Sequence, residues 1–226
     1  MFPIRDHNPT AGPIVVVWLL LAANVALFLL AVVPAGLDGV YTYALRYGLV
    51  PDAFFADPIA HAPRLVTHLF VHGGAAHLIG NMIFLFVFGD NIEDRFGHVR
   101  FALFYLAAGL VAALVQVALV AGSNLPMVGA SGAISAVLGA YVVLFPRKRV
   151  QAVVVPLILP WLVVNLVLRT RRFFLWWFPA WAYLGFWALL QLWEGFADVA
   201  LTGGVAWWAH IAGFLFGALV SRSLAR

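Results

Sequence analysis

A serine in a glycine-rich motif is the first residue that could carry out chemistry. Gly-Ala-Ser-Gly occupies residues 129–132, between an uncharged loop at residues 122–129 and an apolar stretch. We expect Ser131 on the first turn of a helix, where unpaired backbone N–H groups and the helix dipole can stabilise an oxyanion. Gly129 and Gly132 would let a substrate backbone approach. The alternative is that Ser131 is an N-cap and the glycines are packing positions, and the motif alone leaves both open.

A histidine within an apolar segment is the second candidate. Ionisable groups are costly in a membrane and often mark function, although His210 alone could also bond a backbone carbonyl. Small residues repeat on one helical face after both candidates: Gly213 and Gly217 follow His210, and Ser135 and Gly139 follow Ser131. Such stripes let two helices approach closely, so that a histidine nitrogen can activate a serine hydroxyl at ~2.6–3.2 Å. The pattern predicts Ser131 as nucleophile and His210 as general base.

Two polar residues in another apolar segment could complete an oxyanion site. His77 and Asn81 are four positions apart, so their side chains leave one face of a helix. As neutral donors they could stabilise a tetrahedral oxyanion, and as a pair alone they could equally be interhelical hydrogen-bonding residues. The acids nearest to His210, Glu194 and Asp198, lie at the end of the preceding apolar segment. We therefore expect a catalytic dyad without a carboxylate.

The elements that must position these residues are membrane helices. Of 226 residues, 65% are apolar and 10% charged, whereas soluble proteins carry roughly 25% charged residues. The basic residues lie at the ends of apolar runs and form no aromatic-interleaved patch for nucleic acid. The absence of cysteine excludes disulfides, thiolate metal sites and a cysteine nucleophile.

Six spans are predicted within a single domain of residues 1–226, which makes the protein an all-α polytopic membrane protein. The segment before them, about residues 1–12, is expected to be a short cytoplasmic N-terminus, and the first span to be retained. Residues 37–74 are expected to form a long interfacial loop. The spans lie at about residues 13–34, 75–91, 101–121, 131–145, 179–194 and 205–221.

An apolar segment between the fourth and fifth spans could be counted as a seventh. It begins near Val150, contains two prolines and has a basic cluster on each side, the second ending at Arg172. A crossing here would place one cluster outside, against the positive-inside tendency, so we expect residues 150–172 to be re-entrant or interfacial. Both termini are then cytoplasmic. The same count puts Ser131 and His210 near the extracytoplasmic face.

Three motifs together resemble those of the rhomboid proteases, and the resemblance covers nearly the whole chain. His-x-x-x-Asn at residues 77–81, Gly-x-Ser-Gly at 129–132 and Ala-His-Ile-Ala-Gly at 209–213 follow the order of that family. Glu-Asp-Arg-Phe-Gly at residues 93–97 is similar to the family's Glu-x-Arg stretch, for which we expect a structural role. His72 matches a further family histidine ahead of the second helix.

The resemblance implies a six-helix rhomboid-like bundle with a water-accessible cavity that opens outward. It implies an intramembrane serine endopeptidase that cleaves single-pass membrane proteins near the extracytoplasmic face, with the lipid bilayer as surroundings and without metal, nucleotide, nucleic acid or other cofactor. Ser131 would attack the peptide carbonyl and His210 would transfer the proton. The backbone amide of Ser131, with His77 and Asn81, would hold the oxyanion. A bacterial inner membrane is the expected location.

The residue four positions after the serine departs from the family pattern. Some family members carry an aromatic residue four positions after the serine, which packs on the catalytic histidine, and this chain has Ser135 there. Support for His210 is therefore expected from elsewhere.

Five tryptophans are assigned to the fifth helix, and we expect them to anchor it at the membrane interface: Trp176, Trp177, Trp181, Trp187 and Trp193.

Two other functional classes are considered. A non-catalytic rhomboid-like protein that binds transmembrane helices would usually lack the serine or the histidine, and both are present. A transporter subunit would often show internal repeats and broken helices, and the sequence shows no convincing repeat. The sequence therefore favours the protease.

Overall fold

The computed structural model describes residues 1–153, 175–197 and 205–225, and most of these residues are helical. The elements, in chain order, are β1 (Phe2–Asp6), α1 (Val16–Tyr47), α2 (Pro51–Ala56), α3 (Pro58–His61), α4 (Arg64–Thr67), a 3-10 turn (His68–Phe70), α5 (Ala75–Phe96), α6 (His98–Leu119), α7 (Ser131–Leu144), β2 (Arg149–Val153), β3 (Leu175–Pro179), α8 (Ala180–Ala197) and α9 (Trp207–Leu224).

Three helices in the described part of the chain are long and apolar enough to cross a membrane. They are Val16–Pro34, Ala75–Phe96 and His98–Leu119, and Ser131–Leu144 is a shorter apolar helix. Two further helices, α8 and α9, lie where the fifth and sixth spans were predicted. The helix positions agree with the predicted segments, while six crossings stay a prediction.

The first helix continues beyond the predicted end of its span. Pro34 lacks a backbone N–H, and Gly36 adopts φ 59° and ψ −142°, so the helix is interrupted there and resumes to Tyr47. The region expected to be an interfacial loop therefore contains the end of α1, three short helices and a 3-10 turn.

The acidic stretch after the second span anchors the start of α1. Glu93 is fully buried, and its carboxylate accepts hydrogen bonds of 2.8 Å from the backbone N–H groups of Val15, Val16 and Val17. Asp94 accepts from the N–H groups of Ala11 and Gly12. Because the first N–H groups of a helix have no partner within it, these carboxylates satisfy α1 and fix it against α5. The structural role expected for this stretch fits these contacts.

Close packing of α7 against α9 depends on glycines on both helices. A Cβ atom added at Gly139, Gly213 or Gly217 would overlap a backbone carbonyl oxygen of the facing helix. The oxygens belong to Phe214, Gly132 and Ala136 respectively. The small-residue stripes noted in the sequence thus form one interface, and it brings the starts of the two helices together.

A three-stranded antiparallel sheet, in the order β1–β2–β3, corrects the all-α prediction. Residues 150–153 of the expected re-entrant segment belong to β2, and residues 154–172 lie outside the described residues. Trp176 and Trp177 were wrongly assigned to a helix and lie in β3. Strands of five residues are too short to show a period, and the paired residues of β1 and β2 are 144 to 151 positions apart.

The N-terminal strand is bonded to the helical bundle through a half-buried acid, Asp6. The Tyr141 hydroxyl on α7 donates to Asp6 Oδ2, and the Tyr183 hydroxyl on α8 donates to the Met1 carbonyl at 3.2 Å. Burial is the main cause that raises the pKa of Asp6 from 3.8 to about 6. The strand therefore carries a carboxyl group that is better tolerated in its protonated form.

Replacing this acid with asparagine is expected to change the pH dependence of stability. An aspartate with a higher pKa in the folded than in the unfolded protein lowers the free energy of unfolding as pH rises from about 4 to about 6. Asp6→Asn removes the ionisation and keeps an acceptor for Tyr141. We expect a higher melting temperature than wild type at pH 8, and a gain that shrinks towards pH 4, measured by circular dichroism in detergent. Exposed Asp38→Asn is the matched control. A lower melting temperature of Asp6→Asn at pH 8 would contradict this account.

Candidate active site

The serine and the histidine singled out in the sequence meet at the start of two packed helices. Ser131 is the first residue of α7, and the N-cap position belongs to Ala130, which makes no side-chain capping bond. The N-cap alternative for Ser131 is therefore wrong. His210 lies on the first turn of α9, and its Nε2 is 2.7 Å from Ser131 Oγ. This distance allows the imidazole to accept the hydroxyl proton.

The loop that delivers the serine is fixed by backbone hydrogen bonds. Leu49 and Met127 exchange bonds of 3.0 and 2.8 Å, and the Gly129 N–H donates to the His68 carbonyl at 2.9 Å. Gly129 has φ +115°, a conformation that L side chains rarely adopt. The glycine is needed here for its backbone, and its own N–H is occupied by His68.

His77 and Asn81 lie on α5 and line the same cavity as Ser131 and His210. A Cβ atom at Gly129 would lie 2.6 Å from His77 Nε2, so the imidazole packs closely against the backbone of the loop that precedes Ser131. The Asn81 side chain is buried, and its Nδ2 has no hydrogen-bond partner in the described structure. A buried amide donor without a partner is costly unless a ligand or transient oxyanion can use it.

Two further histidines lie in the connection before α5. His68 Nδ1 is 2.9 Å from the Arg64 carbonyl, and the His72 ring packs edge-on against His77 with centroids 5.1 Å apart. Burial lowers the pKa of His68 to about 4 and that of His72 to about 3. Both are therefore neutral near pH 7, so His72 supports His77 without placing a charge beside it.

The structure also shows partners of His210 that sequence reasoning missed. Gln191 Oε1 on α8 is 2.6 Å from His210 Nδ1, and both side chains are buried. The rings of Trp187 and Trp207 each lie 6.1 Å from the imidazole centroid. Trp187 thus packs on His210, whereas Trp181 and Trp193 are 60% and 72% exposed and fit the interface-anchor interpretation.

Gln116 on α6 holds the start of α9. Its Oε1 accepts a hydrogen bond of 3.0 Å from the Ala209 N–H, one of the first-turn donors that has no partner within the helix. Gly132 on α7 packs against the same turn, since an added Cβ would lie 3.8 Å from the Ala209 carbonyl oxygen and 2.7 Å from Ala112 Cβ on α6. The turn that carries His210 is therefore fixed from two sides.

These residues surround one cavity of about 730 Å³. Its polar lining includes the side chains of Ser131, His210, His77, Asn81, Gln191 and Gln116. Within residues 1–153, 175–197 and 205–225, no three His, Asp or Glu side chains lie close enough together to hold a metal ion. The arrangement combines a serine hydroxyl, an imidazole within hydrogen-bond distance of it and neutral amide side chains, which are groups that could carry out acyl transfer at a carbonyl.

Comparison with known proteins identifies relatives that cover much of the chain. A family model described as Rhomboid domain matches residues 60–226. The Rhomboid protease GluP of Bacillus subtilis (strain 168) is 32% identical over 151 residues, which is 66% of this chain and 29% of that protein.

Eukaryotic relatives match over shorter or less similar regions. RHOMBOID-like protein 5 of Arabidopsis thaliana is 39% identical over 77 residues, 34% of this chain and 25% of that protein. The human presenilin-associated rhomboid-like protein, mitochondrial, is 30% identical over 143 residues, 61% of this chain and 35% of that protein. The matched region thus spans at most 35% of the length of these three relatives.

Proposed function

This chain belongs to the rhomboid family, and we propose that it is a serine endopeptidase that cleaves single-pass transmembrane proteins near the extracytoplasmic face. The family and the apolar helices make it an integral membrane protein. The observation that carries the proposal is the 2.7 Å contact between Ser131 Oγ and His210 Nε2 at a cavity of about 730 Å³. The Bacillus relative bears the name of a protease, which supports the same reaction.

In the proposed reaction the Ser131 oxygen attacks the scissile carbonyl carbon as His210 Nε2 takes its proton. The C–N bond of the resulting tetrahedral intermediate then breaks, and His210 returns the proton to the departing amine nitrogen. Water attacks the acyl-enzyme ester with His210 again as base. The C–O bond to Ser131 then breaks, His210 returns the proton to the serine oxygen, and the carboxylic acid product leaves.

The developing negative charge on the carbonyl oxygen needs donors in the same cavity. We propose that the Ser131 backbone amide, on the first turn of α7, supplies one of them. Asn81 Nδ2 and the His77 ring supply the others, since both residues line the cavity. The unused amide donor of Asn81 supports this role, because a buried N–H group without a partner is available to an oxyanion that forms beside it.

Removing the Asn81 donor is expected to slow the chemical step. Loss of one oxyanion donor costs ~2.7–4 kcal/mol, so Asn81→Leu should lower kcat about 10²- to 10³-fold with little change in KM. Asn24→Leu is a matched control, because Asn24 is a fully buried asparagine on α1 whose amide bonds the Leu20 carbonyl. A kcat within threefold of wild type for Asn81→Leu would remove Asn81 from the oxyanion site.

The experiment that tests the proposed function is cleavage of a single-pass membrane reporter in proteoliposomes. We expect two fragments whose masses place the cut near one end of the transmembrane segment. Stable capture of the intact reporter would instead favour a non-catalytic helix-binding protein.

We further propose that residues 1–226 form a single domain in a bacterial inner membrane with both termini cytoplasmic.

A further inference from the structure

The general base His210 has both ring nitrogens engaged. Nε2 lies 2.7 Å from Ser131 Oγ, and Nδ1 lies 2.6 Å from Gln191 Oε1. Within the described residues no carboxylate is hydrogen-bonded to His210, so Gln191 occupies the place that an acid holds in a catalytic triad. Its amide oxygen and the nucleophile lie at opposite ends of one imidazole.

An amide oxygen can only accept a hydrogen bond, which determines the tautomer of the ring. With Nδ1 protonated towards Gln191, the lone pair of neutral His210 lies on Nε2 and faces the Ser131 hydroxyl. The opposite tautomer would place a proton on Nε2 and leave it unable to act as base. We propose that Gln191 is a positioning residue that keeps His210 protonated at Nδ1 throughout the reaction.

A neutral partner suits the surroundings of this pair. Gln191 and His210 are 8% and 9% exposed, and a carboxylate buried this deeply would carry a large desolvation cost. Gln191 lies four positions after Trp187, so both side chains leave the same face of α8, and the Trp187 ring packs against His210. One face of α8 therefore fixes both the orientation and the tautomer of the base.

The competing explanation is that Gln191 only joins α8 to α9 by a hydrogen bond, as polar residues between membrane helices often do. A purely structural contact would affect folding and leave the ring tautomer unchanged. Gln191→Met removes the acceptor at similar length, and Gln191→Glu keeps an oxygen acceptor. Leu189→Met alters an exposed site on the same helix, where Leu189 is 65% exposed.

The inference rests on the proposed function, and two measurements separate the two claims. The first is the rate of labelling by a fluorophosphonate. The second is the ¹⁵N chemical shifts of the His210 ring in histidine-labelled protein, with signals assigned by their loss in His210→Asn. In wild type we expect Nδ1 protonated and Nε2 unprotonated near neutral pH.

For Gln191→Met we expect a mixture of tautomers and labelling slowed by about 10- to 100-fold, less than the ~10⁴-fold loss when the wrong tautomer is enforced. Gln191→Glu should label within tenfold of wild type with Nδ1 protonated, and Leu189→Met should match wild type. Wild-type shifts in Gln191→Met, or Nε2 protonated in wild type, would overturn the inference. A wild type that shows the expected tautomer and no labelling would instead count against the protease.

Discussion

Replacement of Ser131 by alanine is expected to reduce reporter cleavage by about 10⁴- to 10⁶-fold, because the chain then lacks its nucleophile. His210→Ala should cause a loss of the same order, and the double variant should be no worse than the single ones, since the two residues act in the same step. The measurement is the cleavage rate in proteoliposomes, with circular dichroism to show that each variant is folded.

The control is a buried serine that does not line the cavity. Ser221 on α9 is fully buried, and its hydroxyl donates to the Ala218 carbonyl at 3.2 Å. Ser221→Ala should retain the wild-type cleavage rate. Residual cleavage above about 1% in folded Ser131→Ala would show that another residue supplies the nucleophile.

Replacement of Gly213 by alanine is the second large expected effect. The new Cβ atom would overlap the Gly132 carbonyl oxygen, one residue from the nucleophile, so α9 must move away from α7. A displacement of 1 Å at a reacting group can cost about 10²-fold in rate. We expect cleavage to fall at least 100-fold and the melting temperature to fall as well.

Two further variants separate misplacement of His210 from loss of stability. In Gly217→Ala the Cβ atom would overlap the Ala136 carbonyl, one turn further from the site, so stability should fall with a smaller loss of activity. At Gly185 on α8 an added Cβ would meet no atom within 4 Å, and Gly185→Ala should match wild type. Equal cleavage by Gly213→Ala and wild type would contradict the close contact of α7 and α9.

The positions of Ser131 and His210 could be anticipated because their spacing to small residues is a local property of each helix. Gly213 and Gly217 fall on one face of α9, and Gly139 falls on the Ser131 face of α7. Helical geometry turns this spacing into two flat surfaces that pack against each other. The helix that carries His77 and Asn81 was likewise predictable from its length and apolar composition.

Other features depend on contacts that no local pattern encodes. The pairing of Gln191 with His210 depends on how α8 is rotated against α9, and acids are the residues usually expected to orient a catalytic histidine. A glutamine inside an otherwise apolar span, four residues after a tryptophan, was the available signal. No sequence pattern indicated the hydrogen bond between Asp6 and Tyr141, because the two residues are 135 positions apart.

The central claim is that Ser131 is activated by His210, and fluorophosphonate labelling of the detergent-purified protein tests it most directly. The probe forms a bond from the serine oxygen to phosphorus with loss of fluoride, and it reacts quickly only with an activated serine. We predict labelling of the wild type at Ser131, shown by peptide mass spectrometry, and none in Ser131→Ala or His210→Ala. A folded wild type that does not label, or labelling that persists in either variant, would contradict the account.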